Sequence, residues 1–435
     1  MILRARVVLP ISRPPIDDGA VVISGNRITH VGAWRDFPGS AAVPAASPRE
    51  MKLAGETPAL HDPAQVIDLG ETILMPGLIN AHCHLDYTDM AGLMPPQKSF
   101  TDWIRLMLAA KSEWNYSEFA ESWVRGAHML RRTGTTTVAD FETVPELLPD
   151  VWSATPLRVV SLLEMTGVKS RRDPRAILQD NLEHIRTLPG GRCRPGLAPH
   201  APYSTVPELL RLTAEMARRR HWPMSIHVAE SMQEFEMFMK GRGIIFDWLR
   251  RNDRDMSDCG LRSPVRHLDR CGVLGENCLA VHVNYLAEGD ARLLAARKTS
   301  VVHCPRSHFY FSHDKFPLHK FNQAKVNVCL GTDSLATVYK KPRQTVELNM
   351  FTEMQTFAAN HSRVSPETIL QMATANGARA LGMAGQVGEI SKKSLADLIA
   401  IPFKGKLADA SEAAVHHPGD VAASVIDGEW AMQPG

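Results

Sequence analysis

Two histidines separated by one residue, His82 and His84, follow an apolar run that bends at Pro76-Gly77. In a β-strand, side chains two residues apart point to the same face, so both imidazoles would project together while Cys83 points away. Neutral imidazoles are common ligands of zinc and other transition metals. Two unrelated histidines after a turn would give the same pattern, so the interpretation depends on polar residues further along the chain.

Further histidines and carboxylates follow short apolar runs later in the sequence. They are Glu164, His200, His227, Glu230, His282, His303 and Asp333. Three histidines and one aspartate can hold one divalent ion and leave a position open for water. A single histidine after a strand is usually structural, but a set of this size predicts one shared metal site.

The spacing suggests a role for three of these residues. Bound Zn²⁺ lowers the pKa of its water to about 7, and hydrolysis then needs a group that carries protons. Glu230 lies three residues after His227, which offsets its carboxylate from the strand. A solvated loop carboxylate is the alternative. We expect Glu230 to carry protons, His282 to hydrogen-bond the water, and Asp333 both to bind the metal and to accept a proton.

Residues so far apart can meet only if the strands before them end at one place. Eight apolar segments alternate with amphipathic segments, and they predict strands at Ile73–Ala81, Thr135–Ala139, Arg158–Leu163, Pro195–Ala198, Met224–Val228, Cys278–Val283, Ser300–His303 and Val326–Leu330. This alternation predicts an α/β fold, a parallel (β/α)8 TIM barrel with one active-site rim. An open doubly wound sheet is the alternative, but no Gly-rich phosphate loop follows the first strand.

The amphipathic segments between these strands predict the barrel helices. They include Ser117–Arg132, Ala176–Thr187, Val206–Arg220 and Ala287–Arg297. The segment between the fifth and sixth strands is unusually long, and it predicts a helix at Ser231–Arg251 and a polar loop at Asn252–Pro264. In a barrel this segment would lie on the rim, where substrate-specific insertions occur.

The two ends of the chain show short strand patterns instead. A hairpin is predicted around Gly25-Asn26, strands are predicted at Leu398–Ile401 and Val421–Ile426, and residues 38–64 are rich in Pro, Ala and Ser, as in an irregular loop. We predict that residues 1–72 and 384–435 together form a small β-sandwich domain. Residues 73–383 would then form the catalytic barrel.

Composition excludes several classes of function for the 435-residue chain. The balance of 49 Lys and Arg against 47 Asp and Glu gives a net charge of +2, which offers no support for a nucleic-acid or anionic-membrane partner. No apolar run reaches the roughly 20 residues that span a bilayer. The 7 cysteines contain no Cys-x-x-Cys pair, and the N-terminus lacks a secretory leader pattern. We expect a cytoplasmic enzyme with a small-molecule substrate.

The combined motifs resemble the amidohydrolase superfamily, in its branch of one-metal deaminases and chlorohydrolases. The matching segments cover nearly the whole chain: residues 76–84, 200–203, 227–230, 281–282, 303–305 and 331–334, with 388–398 and 425–428 near the C-terminus. The resemblance implies one divalent metal, Zn²⁺ or alternatively Fe²⁺, bound by His82, His84, His227 and Asp333. It also implies that Glu230 and His282 move protons during attack on a heteroaromatic ring.

Within that branch, the motifs at His200 and His227 look most similar to deaminases of adenosine-type compounds. Methylthioadenosine, adenosylhomocysteine and aminodeoxyfutalosine are the implied substrates, with loss of the 6-amino group as ammonia. A guanine- or pterin-type deaminase and a triazine-type hydrolase are alternatives on the same site. A non-catalytic scaffold is a further alternative, which the intact ligand set disfavours. A homodimer is common in such families.

Four residues are candidate substrate contacts: His200, Trp103, Arg306 and His308. Each also has a structural interpretation, as a rim residue, a core aromatic or a surface charge. His308 stands where similar proteins often have Asn. Glu164 could support a second metal ion, and this alternative stays open. A two-metal site bridged by a carboxylated lysine is disfavoured, because the predicted fourth strand ends without a lysine.

Overall fold

The computed structural model describes residues 1–37, 65–169 and 171–435. In these residues the strands are β1 (Ile2–Val8), β2 (Ile16–Ser24), β3 (Arg27–Ala33), β4 (Val66–Asp68), β5 (Thr72–Pro76), β6 (Leu78–Cys83), β7 (Thr135–Glu142), β8 (Arg158–Met165), β9 (Arg194–Pro199), β10 (Met224–Val228), β11 (Cys278–His282), β12 (Ser300–His303), β13 (Val328–Leu330), β14 (Leu398–Pro402), β15 (Ala423–Ile426) and β16 (Glu429–Met432).

The helices of the same residues are α1 (Phe100–Ser112), α2 (Tyr116–Arg132), α3 (Leu148–Ser153), α4 (Pro174–Thr187), α5 (Pro207–Arg220), α6 (Met232–Lys240), α7 (Ile244–Arg251), α8 (Pro264–Arg270), α9 (Asp290–Ala296), α10 (Pro305–Tyr310), α11 (Leu318–Ala324), α12 (Met350–Asn360), α13 (Pro366–Met372), α14 (Ala375–Ala380) and α15 (Ala410–Val415). In this part of the chain, no helix has both the length and the apolar character needed to cross a membrane.

Strands β6 to β13 form one parallel sheet in sequence order. The sheet closes where β13 meets β6: Cys83 pairs with Asp333, and the N–H groups of Thr332 and Asp333 donate to the carbonyl of His82 at 3.0 and 3.1 Å. At this seam Gly331 lies against His82, and a Cβ on it would be 2.8 Å from the His82 carbonyl oxygen. The predicted (β/α)8 barrel is confirmed, and its seam holds three of the candidate site residues.

The remaining strands form a second, mixed sheet that contains both ends of the chain. Its order is β16-β15-β14-β5-β1-β2-β3, with β4 added to β1. The N-terminal and C-terminal parts meet where β5 runs antiparallel to β14. The predicted small β-domain from both chain ends is confirmed, as is the hairpin of β2 and β3. The predicted loop at 38–64 lies outside the described residues.

The predicted first barrel strand, Ile73–Ala81, is wrong as a single element. Its first half is β5 of the terminal sheet, and only its second half, β6, belongs to the barrel. The chain changes sheet at Gly77, whose N–H donates to the Asp397 carbonyl and where a Cβ would lie 2.1 Å from Thr136. We therefore propose Gly77, not residue 73, as the first domain boundary; the predicted boundary at 383/384 stays a prediction.

The predicted rim helix Ser231–Arg251 is also wrong as a single element. It consists of α6 and α7, separated at Gly241 and Gly243, whose φ angles of +62° and +115° cannot continue a right-handed helix. Gly241 also packs against Gly260, where a Cβ would lie 3.3 Å from the Gly260 Cα. After the break, Ile245 and Leu249 of α7 pack in one apolar cluster with Met237 and Phe238 of α6.

Candidate active site

The four predicted metal ligands meet at the seam of the barrel. His82 lies at the end of β6 with His84 just beyond it, His227 lies on β10, and Asp333 follows β13. The His82 Nε2 lies 3.3 Å from the Nε2 of His227 and 3.7 Å from Oδ1 of Asp333. The Nε2 of His84 lies 3.8 Å from the same oxygen. All four side chains are buried, so three imidazoles and one carboxylate converge on one small volume.

The chemistry of these donors fits a divalent metal ion. The Nδ1 of His227 lies 2.9 Å from the carbonyl of His200. Because a carbonyl only accepts, Nδ1 carries the hydrogen and Nε2 keeps the lone pair that a metal needs. Burial lowers the pKa values of His84 and His227 well below their usual range. Neutral imidazoles beside a carboxylate are the ligand set that catalytic zinc sites use.

Asp333 stays ionised within this buried group. Burial alone would raise its pKa, but the nearby imidazoles of His82, His282 and His84 hold the pKa of Asp333 well below its usual range. Its Oδ1 also accepts the Ser334 N–H at 2.7 Å, and its Oδ2 accepts the Thr337 hydroxyl at 3.3 Å. The carboxylate is therefore available as a metal ligand and as a proton acceptor.

Glu230 and His282 form a second group with Asp333, in which the ligand atoms lie within 4.8 Å of one another. The His282 Nε2 lies 3.6 Å from Oε1 of Glu230. Burial, reinforced by the nearby carboxylates of Asp333 and Glu234, raises the pKa of Glu230 well above its usual range. Burial lowers the pKa of His282 to about 3. The site thus places a protonated acid, a neutral imidazole and an ionised carboxylate side by side.

A cavity of about 950 Å³, including the space at its open mouth, leads to both groups. One face of α1 forms a wall, with residues at helical spacing: Phe100, Trp103, Ile104, Met107, Leu108 and Lys111. Trp248 and Leu249 of α7 also line it. A mostly apolar wall next to a polar end suits a flat, partly apolar ring.

Two of the four predicted substrate contacts, Trp103 and His200, line this cavity. The Trp103 ring lies edge-on to Phe311 at a centroid distance of 5.1 Å, and its buried indole N–H has no hydrogen-bond partner. His200 Nδ1 lies 2.6 Å from the Ser204 hydroxyl, and burial lowers the pKa of His200. Both side chains can reach a bound molecule, and their contact with substrate stays a prediction.

The other two, Arg306 and His308, do not line the cavity. Arg306 forms an ion pair with the fully buried Glu353 and donates to the Glu347 carbonyl at 2.9 Å, so its charge is used within the protein. The Nδ1 of His308 lies 3.0 Å from Oδ1 of Asn284. This placement does not favour direct contact of either residue with substrate, and that contact stays a prediction.

Glu164 and Lys111 are half-buried charges on the cavity wall. Glu164 belongs to neither group of metal-ligand atoms found in the described residues, so the geometry does not favour a second metal there. The Lys111 ammonium lies 5.0 Å from the centroid of the Tyr87 ring. Sequence reasoning missed Lys111, although its position eleven residues after Phe100 places it on the same helix face.

Comparison with known proteins agrees with this geometry. Residues 73–431 match the amidohydrolase family. A 5-methylthioadenosine/S-adenosylhomocysteine deaminase from Syntrophobacter fumaroxidans is 31% identical over 406 residues, covering 89% of this chain and 81% of the relative.

Two solved structures share the fold over 99% of this chain. One is an adenosine deaminase from Xanthomonas campestris with bound zinc, with a TM-score of 0.79, 23% identity and 92% of that chain covered. The other is the aminofutalosine deaminase of Helicobacter pylori in complex with methylthio-coformycin, with a TM-score of 0.81, 19% identity and 100% of that chain covered. The chain belongs to the amidohydrolase family and is a hydrolytic enzyme that acts on carbon–nitrogen bonds.

Proposed function

We propose that the protein is a metal-dependent deaminase of adenosine-type nucleosides, with methylthioadenosine, adenosylhomocysteine and aminodeoxyfutalosine as candidate substrates. The observation that carries the proposal is the convergence of three histidines and Asp333, which can serve as metal ligands, next to Glu230, a buried acid that lines an aromatic-walled cavity. The name of the 31% identical relative supports the substrate class.

One divalent ion, Zn²⁺ or alternatively Fe²⁺, would be held by His82, His84, His227 and Asp333, and it would supply acidification of a water molecule. The chain's own groups then have separate tasks. Asp333, ionised, accepts a proton from the attacking water. Glu230, protonated, donates a proton to a ring nitrogen, and His282 hydrogen-bonds the water as a neutral imidazole. Water adds to the ring carbon, and Asp333 passes the proton that it took from the water to the amino group, which leaves as ammonia. The added hydroxyl then loses its proton to the Glu230 carboxylate, which restores the acid and leaves a ring carbonyl.

Ammonia release from a panel of rings tests this proposal. The panel contains adenosine, 5′-deoxyadenosine, methylthioadenosine, adenosylhomocysteine and aminodeoxyfutalosine. Guanine, a pterin and a triazine are included to test the alternative substrate classes. We expect turnover with at least one adenine nucleoside. Absence of ammonia from all of them, together with turnover of another ring, would assign the site to that other ring.

The variant Glu230→Gln separates proton transfer from metal binding. Because the amide keeps the size of the side chain but cannot donate an acidic proton, we expect a fall in kcat of about 10²- to 10⁴-fold. The metal content, measured by elemental analysis, should stay at one equivalent because Glu230 is not one of the four ligands. Wild-type turnover in this variant would refute the role of Glu230.

A further inference from the structure

The main chain at Glu230 is held on both sides by side chains that do not line the cavity. On one side, the N–H groups of Ala229 and Glu230 donate to the carboxylate of Glu234 at 2.9 and 3.0 Å. On the other side, the Nδ2 of Asn284 donates to the Glu230 carbonyl at 2.9 Å. The peptide groups flanking the catalytic acid are thus fixed by bonds to two buried residues.

The hydrogen bond to the Glu230 carbonyl determines the orientation of the Asn284 amide, and the Asn284 amide in turn determines which nitrogen of His308 carries a hydrogen. Since a carbonyl can only accept, the amide nitrogen of Asn284 must face Glu230, and the amide oxygen must face the other way. That oxygen lies 3.0 Å from Nδ1 of His308, so Nδ1 must carry a hydrogen. Burial lowers the pKa of His308 to about 4, so near neutral pH its single N–H is the one directed at Asn284.

The backbone around Glu230 needs this support because it is strained. Ala229 has a φ of +49°, and the facing residues His282 and Val283 have φ angles of +72° and +48°. A positive φ is unfavourable for a non-glycine residue, because its Cβ crowds the neighbouring carbonyl oxygen. The N–H of Asn284 donates to the Ala229 carbonyl at 3.0 Å, so Asn284 holds this turn through both its main chain and its side chain.

We propose that His308 is a positioning residue: through Asn284 it fixes the main chain of Glu230 and thereby the direction of the catalytic carboxyl group. This inference rests on the proposed function. His308 and Asn284 do not line the cavity, so their effect reaches the reaction through Glu230 rather than through the substrate. A displacement of about 1 Å in a reacting group can cost 10²-fold in rate, which gives a positioning residue a measurable effect.

Steady-state kinetics of His308 variants, with the best substrate of the panel, test the proposal. For His308→Ala we expect kcat to fall about 10- to 100-fold while KM changes less than about 3-fold, because only the proton transfer loses alignment. His308→Asn should recover kcat to within about 5-fold of the wild type, because its amide Nδ2 overlays the Nδ1 donor. If the alanine variant does not fold, His308→Leu keeps the volume without the donor.

His313→Ala is the matched control. His313 is a half-buried histidine just after α10. Its ring lies beside that of His308 at a centroid distance of 5.4 Å, but its Nδ1 faces the hydroxyl of Tyr285 and not Asn284, so its removal should change kcat less than about 2-fold. Metal content and melting temperature are measured for every variant. Equal losses for His308→Ala and His313→Ala, or a loss of metal in the His308 variants, would overturn the proposal.

A double variant tests whether the effect passes through Asn284. If the two residues act as one chain, His308→Ala combined with Asn284→Ala should lose no more activity than Asn284→Ala alone. If the double variant instead loses activity by the product of the two single-variant losses, the two residues act independently and the proposed link from His308 through Asn284 to Glu230 is contradicted. The kcat of each variant is compared with that of the wild type on whichever ring the enzyme deaminates. If that ring is not an adenine nucleoside, the proposed function is refuted, but the same comparison still decides whether His308 positions Glu230.

Discussion

Two carboxyl groups share the inner end of the cavity, and their environments drive their pKa values in opposite directions. Burial and the carboxylates beside it raise the pKa of Glu230, whereas the imidazoles around Asp333 lower the pKa of that group. Such a difference between neighbouring groups assigns the acid and the base of a reaction. The protonation states that deamination requires are therefore set by which side chains surround each carboxyl group.

Lys111 gives a prediction at the same scale. Its ammonium group lines the cavity and makes no hydrogen bond or ion pair with the described residues, so we expect it to bind a polar group of the substrate. A hydrogen bond to a charged group is worth about 1.5–3 kcal/mol, so Lys111→Met should raise KM about 10- to 100-fold with kcat nearly unchanged. Arg105→Met, an exposed residue of the same helix, is the control in the kinetic assay. Equal KM values for the two variants would contradict the role.

Part of the site could be predicted from residue spacing alone. His82 and His84 point the same way because a strand has a period of two, and Glu230 follows His227 at a fixed offset. The ion pair of Arg306 could not be predicted, because its partner, Glu353, lies 47 residues further along the chain and belongs to a different helix. Glu234 was missed because a glutamate three residues after Ser231 has the spacing of an ordinary capping box.

At the scale of elements, the seam between β6 and β13 positions three of the four proposed metal ligands. Gly331 has no space for a side chain, because a Cβ would lie 2.8 Å from the oxygen and 2.9 Å from the nitrogen of His82. We expect Gly331→Ala to push β13 away from β6, to destabilise the fold by about 1–3 kcal/mol, and to weaken metal binding by separating His82 from Asp333.

Thermal unfolding and metal content after dialysis measure both effects of Gly331→Ala. Gly190→Ala is the control, because a Cβ at that position meets no atom within 4 Å. A Gly331→Ala protein that keeps its full complement of metal would show that the close contact at the seam is not needed to hold the site together.

The elements could be predicted wherever the local pattern decides the structure. The buried parallel strands are continuous apolar runs, and seven of the eight predicted strands overlap one barrel strand each. The first one was wrong because β5 and β6 form one uninterrupted apolar run whose two halves pair with different sheets. The rim helix was wrong because two glycines interrupt an amphipathic pattern that otherwise continues.

For the whole molecule, buried neutral histidines predict a loss of stability in acid. His267, which links α8 of the rim segment to Asp258 at 3.6 Å, has a pKa lowered by burial to about 4, with Asp258 opposing the shift. Because the unfolded chain binds this proton near pH 6.5, stability is fully present above that pH and is lost as the pH falls through 4. At 1.36 kcal/mol per pKa unit, the loss is about 3 kcal/mol.

Melting temperatures between pH 7 and pH 4 check this expectation. His267→Gln should flatten the decline, since the amide cannot be protonated, while His128→Gln, a change of an exposed residue on α2, should leave the wild-type dependence intact. An unchanged slope in His267→Gln would place the acid sensitivity in other groups.

The pairing of β5 with β14 has a consequence for biosynthesis. During translation, residues 72–76 leave the ribosome more than 300 residues before the strand that covers one of their edges, so this edge remains without its partner until nearly the whole chain has been made. Only Gly77 lies between β5, whose edge is still unpaired at that stage, and β6, which carries His82. The first of the proposed metal ligands to be synthesised is therefore joined to the part of the protein that is completed last, and a nascent chain that stalls before residue 398 would expose an apolar strand next to an incomplete candidate site.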